Sequence, residues 1–216
     1  MDSQSLFTFI LEMAGTIAFA ASGAMVGAQR GMDIFGICVL GVVTAVGGGA
    51  TRDIILGIVP PGMFQNPIYT IVATVTSCIV FAIMYWKQEL LEGENRLVYD
   101  KIMLVMDSVG LGVFTVMGVD KGITEGYMGR TFFLVFLGTV TGVGGGLIRD
   151  MMAGVPPYIF VRHIYACASI VGAIVYVWIY RLGGSVPAMV IGTVVVILIR
   201  YLAAHYRWNL PRLRRE

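Results

Sequence analysis

Apolar segments long enough to cross a lipid bilayer occupy most of this 216-residue chain. A transmembrane helix needs about 20 consecutive, mainly apolar residues. Hydropathy places such runs at residues 6–28, 34–57, 68–86, 102–119, 131–154, 161–180 and 186–206. Because the bilayer core has no water to pair backbone groups, these runs are expected to be helices. With 57% hydrophobic and 13% charged residues, the chain is predicted to be an all-α integral membrane protein with one domain over residues 1–216.

A short motif occurs twice in the chain. Residues 47–53 read GGGATRD and residues 144–150 read GGGLIRD, and the spans before them align as EMAGTIAFAASG and DSVGLGVFTVMG. The second copy begins three spans after the first, and an odd number of crossings makes the two copies enter the membrane from opposite faces. The sequence therefore predicts two inverted three-helix repeats and a seventh helix. These units are residues 6–86, 102–180 and 186–206.

Each glycine triplet falls near the centre of its span. Glycine costs about 1 kcal/mol relative to alanine in a helix interior, so three in succession predict a kink or unwinding that frees carbonyl oxygens. Freed carbonyls must be buried or line a wet cavity, where they can replace part of the water shell of a cation. We predict helix breaks beside such a pathway at Gly47, Gly48, Gly49, Gly144, Gly145 and Gly146. Close helix packing through small residues is the alternative.

Charged residues accompany both triplets. Counting about 1.5 Å per residue from the centre of each span puts Glu12 at the depth of Arg52 and Asp107 at the depth of Arg149. An unpaired intramembrane charge is costly, so we predict that these residues form two pairs that line or gate the pathway. The carboxylates adjacent to the arginines are alternative partners: Asp53 and Asp150. The competing interpretation is a purely structural clamp that holds the two helices.

Four threonines lie near the triplets, at Thr44, Thr51, Thr139 and Thr141. Their hydroxyl groups are candidate ligands for a partly dehydrated ion. A threonine in a membrane helix more often donates a hydrogen bond back to its own helix, and this alternative stays open for each of the four.

No motif predicts catalysis, a metal site or a cofactor. The three cysteines lack metal-ligand spacing, and GVGGG lacks the βαβ context of a phosphate-binding loop. The basic residues follow topology, because the two sides of the spans carry three and ten Lys and Arg residues; this predicts an outside N-terminus and a cytoplasmic C-terminus. Neither an enzyme nor a nucleic-acid-binding protein is expected, and the partner that the composition requires is the lipid bilayer.

The paired triplets, each followed by Arg-Asp on the second and fifth of seven spans, resemble the prokaryotic members of the trimeric intracellular cation (TRIC) channel family, whose bacterial domain is also described as a glycine transporter. The resemblance implies a homotrimer in a bacterial or archaeal plasma membrane. Each protomer would have its own pore, lined by the second and fifth helices and passing K⁺ or Na⁺. The six glycines would be its kinks, with Arg52 and Arg149 close to the pathway.

Two other functional classes stay open. Inverted repeats with broken helices are equally the design of secondary transporters, and a small zwitterion such as glycine would fit such a site. A membrane scaffold that transports nothing would leave the Arg-Asp pairs without a role. A channel and a carrier differ in turnover and saturation.

Overall fold

The computed structural model describes residues 3–87, 96–161 and 164–208, and the regular structure in these ranges is entirely helical. Seven helices are long and apolar enough to cross a membrane, and two single-turn helices lie in connections between them. In chain order the helices are α1 (Ser3–Gln29), α2 (Ile34–Ile55), α3 (Gly62–Gln65), α4 (Ile68–Trp86), α5 (Arg96–Thr124), α6 (Thr131–Met152), α7 (Tyr158–Val161), α8 (Ala166–Gly183) and α9 (Ser185–His205). The predicted all-α membrane fold with seven spans is confirmed.

The ends of α2 and α6 fall at the same point of the repeated motif. Gly57 and Gly154 have φ values of 73° and 65°, the left-handed conformation in which helices commonly end. The amide of the residue after each glycine donates to a carbonyl oxygen of the motif, at 2.8 Å from Asp53 and 3.0 Å from Asp150. Both helices therefore stop two residues before the predicted ends at 57 and 154.

Equivalent residues of the two repeats meet at the centre of the bundle. Phe19 of α1 and Phe114 of α5 stack with their ring centroids 5.3 Å apart. Gly48 of α2 packs against the backbone at Thr141, and Gly145 of α6 packs in return against the backbone at Thr44. Such reciprocal contacts are the signature of two units related by a two-fold axis, and the predicted inverted repeats are therefore present.

The two sides of the bundle are named here by the chain: α1 begins at the N-terminal face, and α9 ends at the C-terminal face. Helices α2, α5 and α8 end at the N-terminal face, and α1, α4 and α6 end at the C-terminal face. The seventh long helix, α9, lies outside the repeats and packs mainly on α5 and α8.

Candidate functional site

The glycine triplets meet where α2 crosses α6. A Cβ atom added to Gly48 would lie 2.1 Å from the carbonyl oxygen of Thr141, and one added to Gly145 would lie 2.1 Å from the carbonyl oxygen of Thr44. The obstructing atoms belong to the backbone and cannot rotate away. Only glycine permits this approach, so the central residue of each triplet packs the two helices together.

The unwinding predicted at the triplets is not present in α2 or α6. α2 and α6 each continue as one α-helix through the triplet. A backbone group without a hydrogen bond in the bilayer costs several kcal/mol, which exceeds the roughly 1 kcal/mol that glycine costs relative to alanine in a helix. Both helices therefore keep their backbone hydrogen bonds. The glycines serve instead to let α2 and α6 cross at close distance.

The outer members of the triplets have different surroundings. Gly49 lines a cavity at the N-terminal face, and the nearest atom to a Cβ built on it is a guanidinium nitrogen of Arg52 at 3.8 Å. A Cβ on Gly146 would lie 2.8 Å from the hydroxyl oxygen of Tyr165. The two remaining glycines pack across the crossing: Gly47 against Ile148 of α6, and Gly144 against Gly48 of α2.

All four candidate threonines donate to the carbonyl oxygen four residues earlier in their own helices. The Oγ1–O distances are 2.6 Å for Thr44 and Thr141, 2.9 Å for Thr51 and 2.8 Å for Thr139. The alternative that the sequence left open therefore describes them here. None of them lines either of the cavities described below.

A cavity of about 370 Å³ opens at the N-terminal face between α1, α2, α4 and α5. Phe114 and Met117 line it together with polar and charged side chains. Three carboxylates and two basic side chains give these lining residues a formal charge of −1 (2 − 3). The charged residues are Glu12, Asp53, Asp120, Arg52 and Lys121.

The Arg-Asp pair of each motif forms a clamp. Arg52 Nε donates to Oδ1 of Asp53 at 2.9 Å, and Arg149 Nε donates to Oδ1 of Asp150 at 2.8 Å. Oδ2 of each aspartate accepts a backbone N–H from the next short helix at 2.8 Å. These amides belong to Gly62 in α3 and Tyr158 in α7. The adjacent carboxylates are thus partners of both arginines, and they also fix the chain that follows each helix.

The predicted pair of Glu12 with Arg52 is wrong. Glu12 accepts a hydrogen bond from the hydroxyl group of Tyr69, and two nitrogens of Arg52 contact Oδ1 of Asp53. No ion pair joins Glu12 to Arg52 in the ranges that the structure describes. Both side chains line the open cavity, so Glu12 is not sealed away from water and does not require the arginine as a partner.

The second predicted pair is present and buried. Nη1 of Arg149 lies 2.7 Å from Oδ1 of Asp107 and 2.6 Å from Oγ of Ser22. The side chains of Arg149 and Asp107 are 0% and 1% exposed. Arg149 therefore ties α6 to α1 and α5, while Asp150 orients its guanidinium group.

Two further residues complete this buried group and were not predicted. Arg200 of α9, which the sequence assigns to topology, has no exposed surface. Its Nη2 lies 3.6 Å from Oδ2 of Asp107, and its guanidinium carbon lies 4.7 Å from the ring centroid of Tyr165. The sequence signal was the position of Arg200 inside the predicted 186–206 span. We call the group the C-face cluster: Ser22, Asp107, Arg149, Asp150, Tyr165 and Arg200.

The two halves of the site thus differ. Glu12 and Arg52 border an open cavity, whereas their repeat equivalents Asp107 and Arg149 are sealed inside the C-face cluster. A second cavity of about 310 Å³, lined in part by Asp150, opens at the C-terminal face. The two cavities share no lining residue in the described part of the chain. Gly48 and Gly145, which meet at the α2–α6 crossing, line neither cavity.

Comparisons with known proteins agree with this architecture. A family model described as "Glycine transporter" matches the chain twice, at residues 9–85 and 104–181. The UPF0126 inner membrane protein YadS of Escherichia coli K12 is 39% identical over 210 residues, which cover 95% of this chain and 96% of that protein.

Two solved structures are similar along nearly their whole length. A prokaryotic TRIC channel is 29% identical with a TM-score of 0.85, covering 95% of this chain and 100% of that one. The TRIC trimeric intracellular cation channel orthologue from Rhodobacter sphaeroides is 29% identical with a TM-score of 0.82, covering 93% of this chain and 98% of that one. This multi-pass membrane protein therefore belongs to the TRIC/UPF0126 family.

Proposed function

We propose that this protein is a channel for monovalent cations, K⁺ and Na⁺, with one pathway in each protomer between α2 and α6. The observation that carries the proposal is the open cavity of net negative charge, which ends at the α2–α6 crossing. Relatives of the same fold are described as TRIC cation channels.

Glu12 is the side chain best placed to attract a cation. Its carboxylate lines the cavity and accepts a hydrogen bond from Tyr69, but it has no basic partner among the described residues. A net negative charge in a cleft with low-dielectric walls raises the local concentration of cations. The cavity is therefore suited to collect cations before they cross the bundle.

Conduction requires the packed centre to open. A cation that leaves the N-terminal cavity meets the Phe19–Phe114 stack and the contact of Gly48 with Gly145. Beyond them lies the C-face cluster, where Arg149 holds Asp107. In the proposed mechanism α2 and α6 separate at their crossing, and the released carboxylate replaces part of the ion's hydration shell.

A carrier of a small zwitterion such as glycine is the second candidate, favoured by one observation. The cavity at the N-terminal face presents a carboxylate, Glu12, and a guanidinium group, Arg52. These groups match the ammonium and carboxylate of an amino acid.

Flux through purified protein in liposomes tests the proposal. A K⁺ diffusion potential is expected to drive rapid flux that does not saturate, and Glu12→Gln is expected to reduce this flux about tenfold. A unit charge acting over roughly 10 Å at an effective dielectric constant of about 20 changes the energy of an ion by about 1.7 kcal/mol. Gln preserves an acceptor for Tyr69 and removes only the charge.

Asp100→Asn is the matched control, because Asp100 is an exposed carboxylate near the start of α5 that lines neither cavity. Equal flux through the two variants would remove Glu12 from the pathway. Saturable uptake of radiolabelled glycine that needs an ion gradient, without an independent K⁺ leak, would contradict the channel and support the carrier.

The assembly and orientation belong to the same proposal. We expect a homotrimer, as the names of the related channels state for those proteins, and a plasma-membrane orientation with the N-terminal face outside, from the distribution of Lys and Arg. A reporter fused after Glu216 is expected to be active only in the cytoplasm, and the native mass in detergent to be three times that of the chain. A periplasmic reporter or a monomeric mass would contradict the respective statement.

A further inference from the structure

Arg200 is an unusual charge because it comes from outside the repeats and points into the bundle. It lies five residues before the end of α9 (Ser185–His205) and is 0% exposed. A long basic side chain near the end of a membrane helix usually extends to the interface instead. Since burial of a charge costs free energy unless it is paired and hydrogen-bonded, its inward position calls for a functional explanation.

The pairing of Arg200 is poor. Its only ion-pair contact in the described chain is with Asp107, at 3.6 Å between Nη2 and Oδ2, and none of its three nitrogens has a hydrogen-bond partner there. Asp107 already has a short contact with Arg149 at 2.7 Å. That contact is made by Oδ1, whereas Oδ2, which faces Arg200, has no hydrogen-bond partner in the described chain. Arg200 and Asp107 therefore face each other at a distance that leaves both side chains incompletely paired.

Arg200 changes the charge of the C-face cluster. Arg149 and Arg200 together balance Asp107 and Asp150, so the cluster carries a formal charge of zero (2 − 2). Without Arg200 the charge would be −1, the same as that of the lining of the N-terminal cavity. The second basic side chain of the N-terminal cavity, Lys121, differs from Arg200 because it is 39% exposed and pairs with Glu125 in its own helix.

We propose that Arg200 is the residue that sets the cation barrier in the C-terminal half of the pathway, an inference that rests on the proposed channel function. The fixed positive charge beside Asp107 opposes the passage of cations. The repeats supply two similar half-sites, and α9 makes one of them less attractive to a cation than the other.

The test compares Arg200→Met, Arg200→Gln and Arg200→Lys with wild type in liposomes and planar bilayers. Methionine and glutamine remove the charge and are expected to raise K⁺ flux more than about tenfold, the effect of one unit charge acting over roughly 10 Å at an effective dielectric constant of about 20. They are also expected to shift the reversal potential in a KCl gradient towards that of K⁺. Lysine keeps the charge and is expected to stay close to wild type.

Arg96→Met is the matched control, because Arg96 is an exposed arginine at the same face, at the start of α5. This control is expected to leave K⁺ flux unchanged. Unfolding in detergent supplies a readout independent of transport: because Arg200 has no hydrogen-bond partner in the described chain, Arg200→Met is expected to keep the wild-type unfolding midpoint. The comparison variant is Arg149→Met, which removes the arginine that holds Asp107 at 2.7 Å. If Arg200→Met lowers the unfolding midpoint as much as Arg149→Met does, Arg200 is a structural residue and the inference is overturned.

The transport results separate this inference from the proposed function. If wild type conducts K⁺ and the folded Arg200→Met and Arg200→Gln variants do not exceed it, only the role of Arg200 is overturned. If wild type is nearly silent and the two neutral variants conduct, the barrier and the channel are both supported. If no variant conducts K⁺, the proposed function fails and the inference fails with it.

Discussion

Replacement of Arg149 by methionine is expected to lower the free energy of unfolding by about 3–5 kcal/mol, the usual cost of removing one partner from a buried charge pair. Arg149 has no exposed surface and holds Asp107, Asp150 and Ser22. Its loss leaves Asp107 and Asp150, each 1% exposed, without their closest basic partner. Unfolding of the purified variant by SDS in mixed micelles, followed by near-ultraviolet circular dichroism, measures the effect.

Arg52→Met is the matched control, since Arg52 occupies the same position of the other repeat. Its side chain is 13% exposed, contacts Asp53 alone among the acidic residues described and borders an open cavity. A clearly smaller loss is therefore expected. The double variant Asp107→Asn/Arg149→Met is expected to be more stable than Arg149→Met alone, because the effects of substitutions at contacting residues on stability are not additive. Equal losses for the two arginine variants would contradict the description of the C-face cluster as a sealed site.

Gly48→Ala is expected to force α2 away from α6 and to reduce the yield of folded protein. The added methyl group would lie 2.1 Å from the carbonyl oxygen of Thr141 and 3.2 Å from the backbone nitrogen of Gly145. Overpacking of this kind costs about 1–3 kcal/mol and occasionally more, and the obstructing atoms cannot move without shifting a helix. The amount of monodisperse protein after heating and the SDS unfolding midpoint measure the loss.

Gly49→Ala separates packing from flexibility. The nearest atom to the added Cβ is 3.8 Å away, an ordinary contact, and alanine is favoured over glycine in a helix by about 1 kcal/mol. This variant is expected to be at least as stable as wild type, and the same reasoning predicts that Gly145→Ala behaves like Gly48→Ala. If Gly49→Ala and Gly48→Ala are impaired alike, the triplets act as flexible segments and the packing description is wrong.

The candidate site was only partly predictable, and the two charge pairs illustrate why. Counting residues from the centre of a span estimates depth, and this placed Asp107 correctly opposite Arg149. The same count placed Glu12 opposite Arg52, which instead pairs with Asp53. Depth along the membrane normal follows from the helical rise, but the distance between two helices in the membrane plane does not. Where the helices leave an open cavity, equal depth does not produce contact.

The glycine triplets show a similar limit. Helix propensity correctly marks glycine as weak, but it compares residues within one helix. What decides the role of the glycines here is the packing of a second helix, which approaches so closely that no Cβ atom fits between the backbones. Arg200 was overlooked for a related reason: a position near the end of an apolar span fits both an interfacial side chain and one turned inward.

The sequence by itself determined the membrane fold, the seven spans and the inversion of the repeats. The lipid solvent allows few solutions for apolar runs of this length, and the parity of crossings between two copies follows from counting. The tertiary structure alone decided whether the glycines break or pack their helices, which carboxylate holds which arginine, and that α9 turns Arg200 into the core. These outcomes depend on how the helices are rotated and spaced relative to one another. Contacts between side chains that are distant in the sequence determine that rotation and spacing.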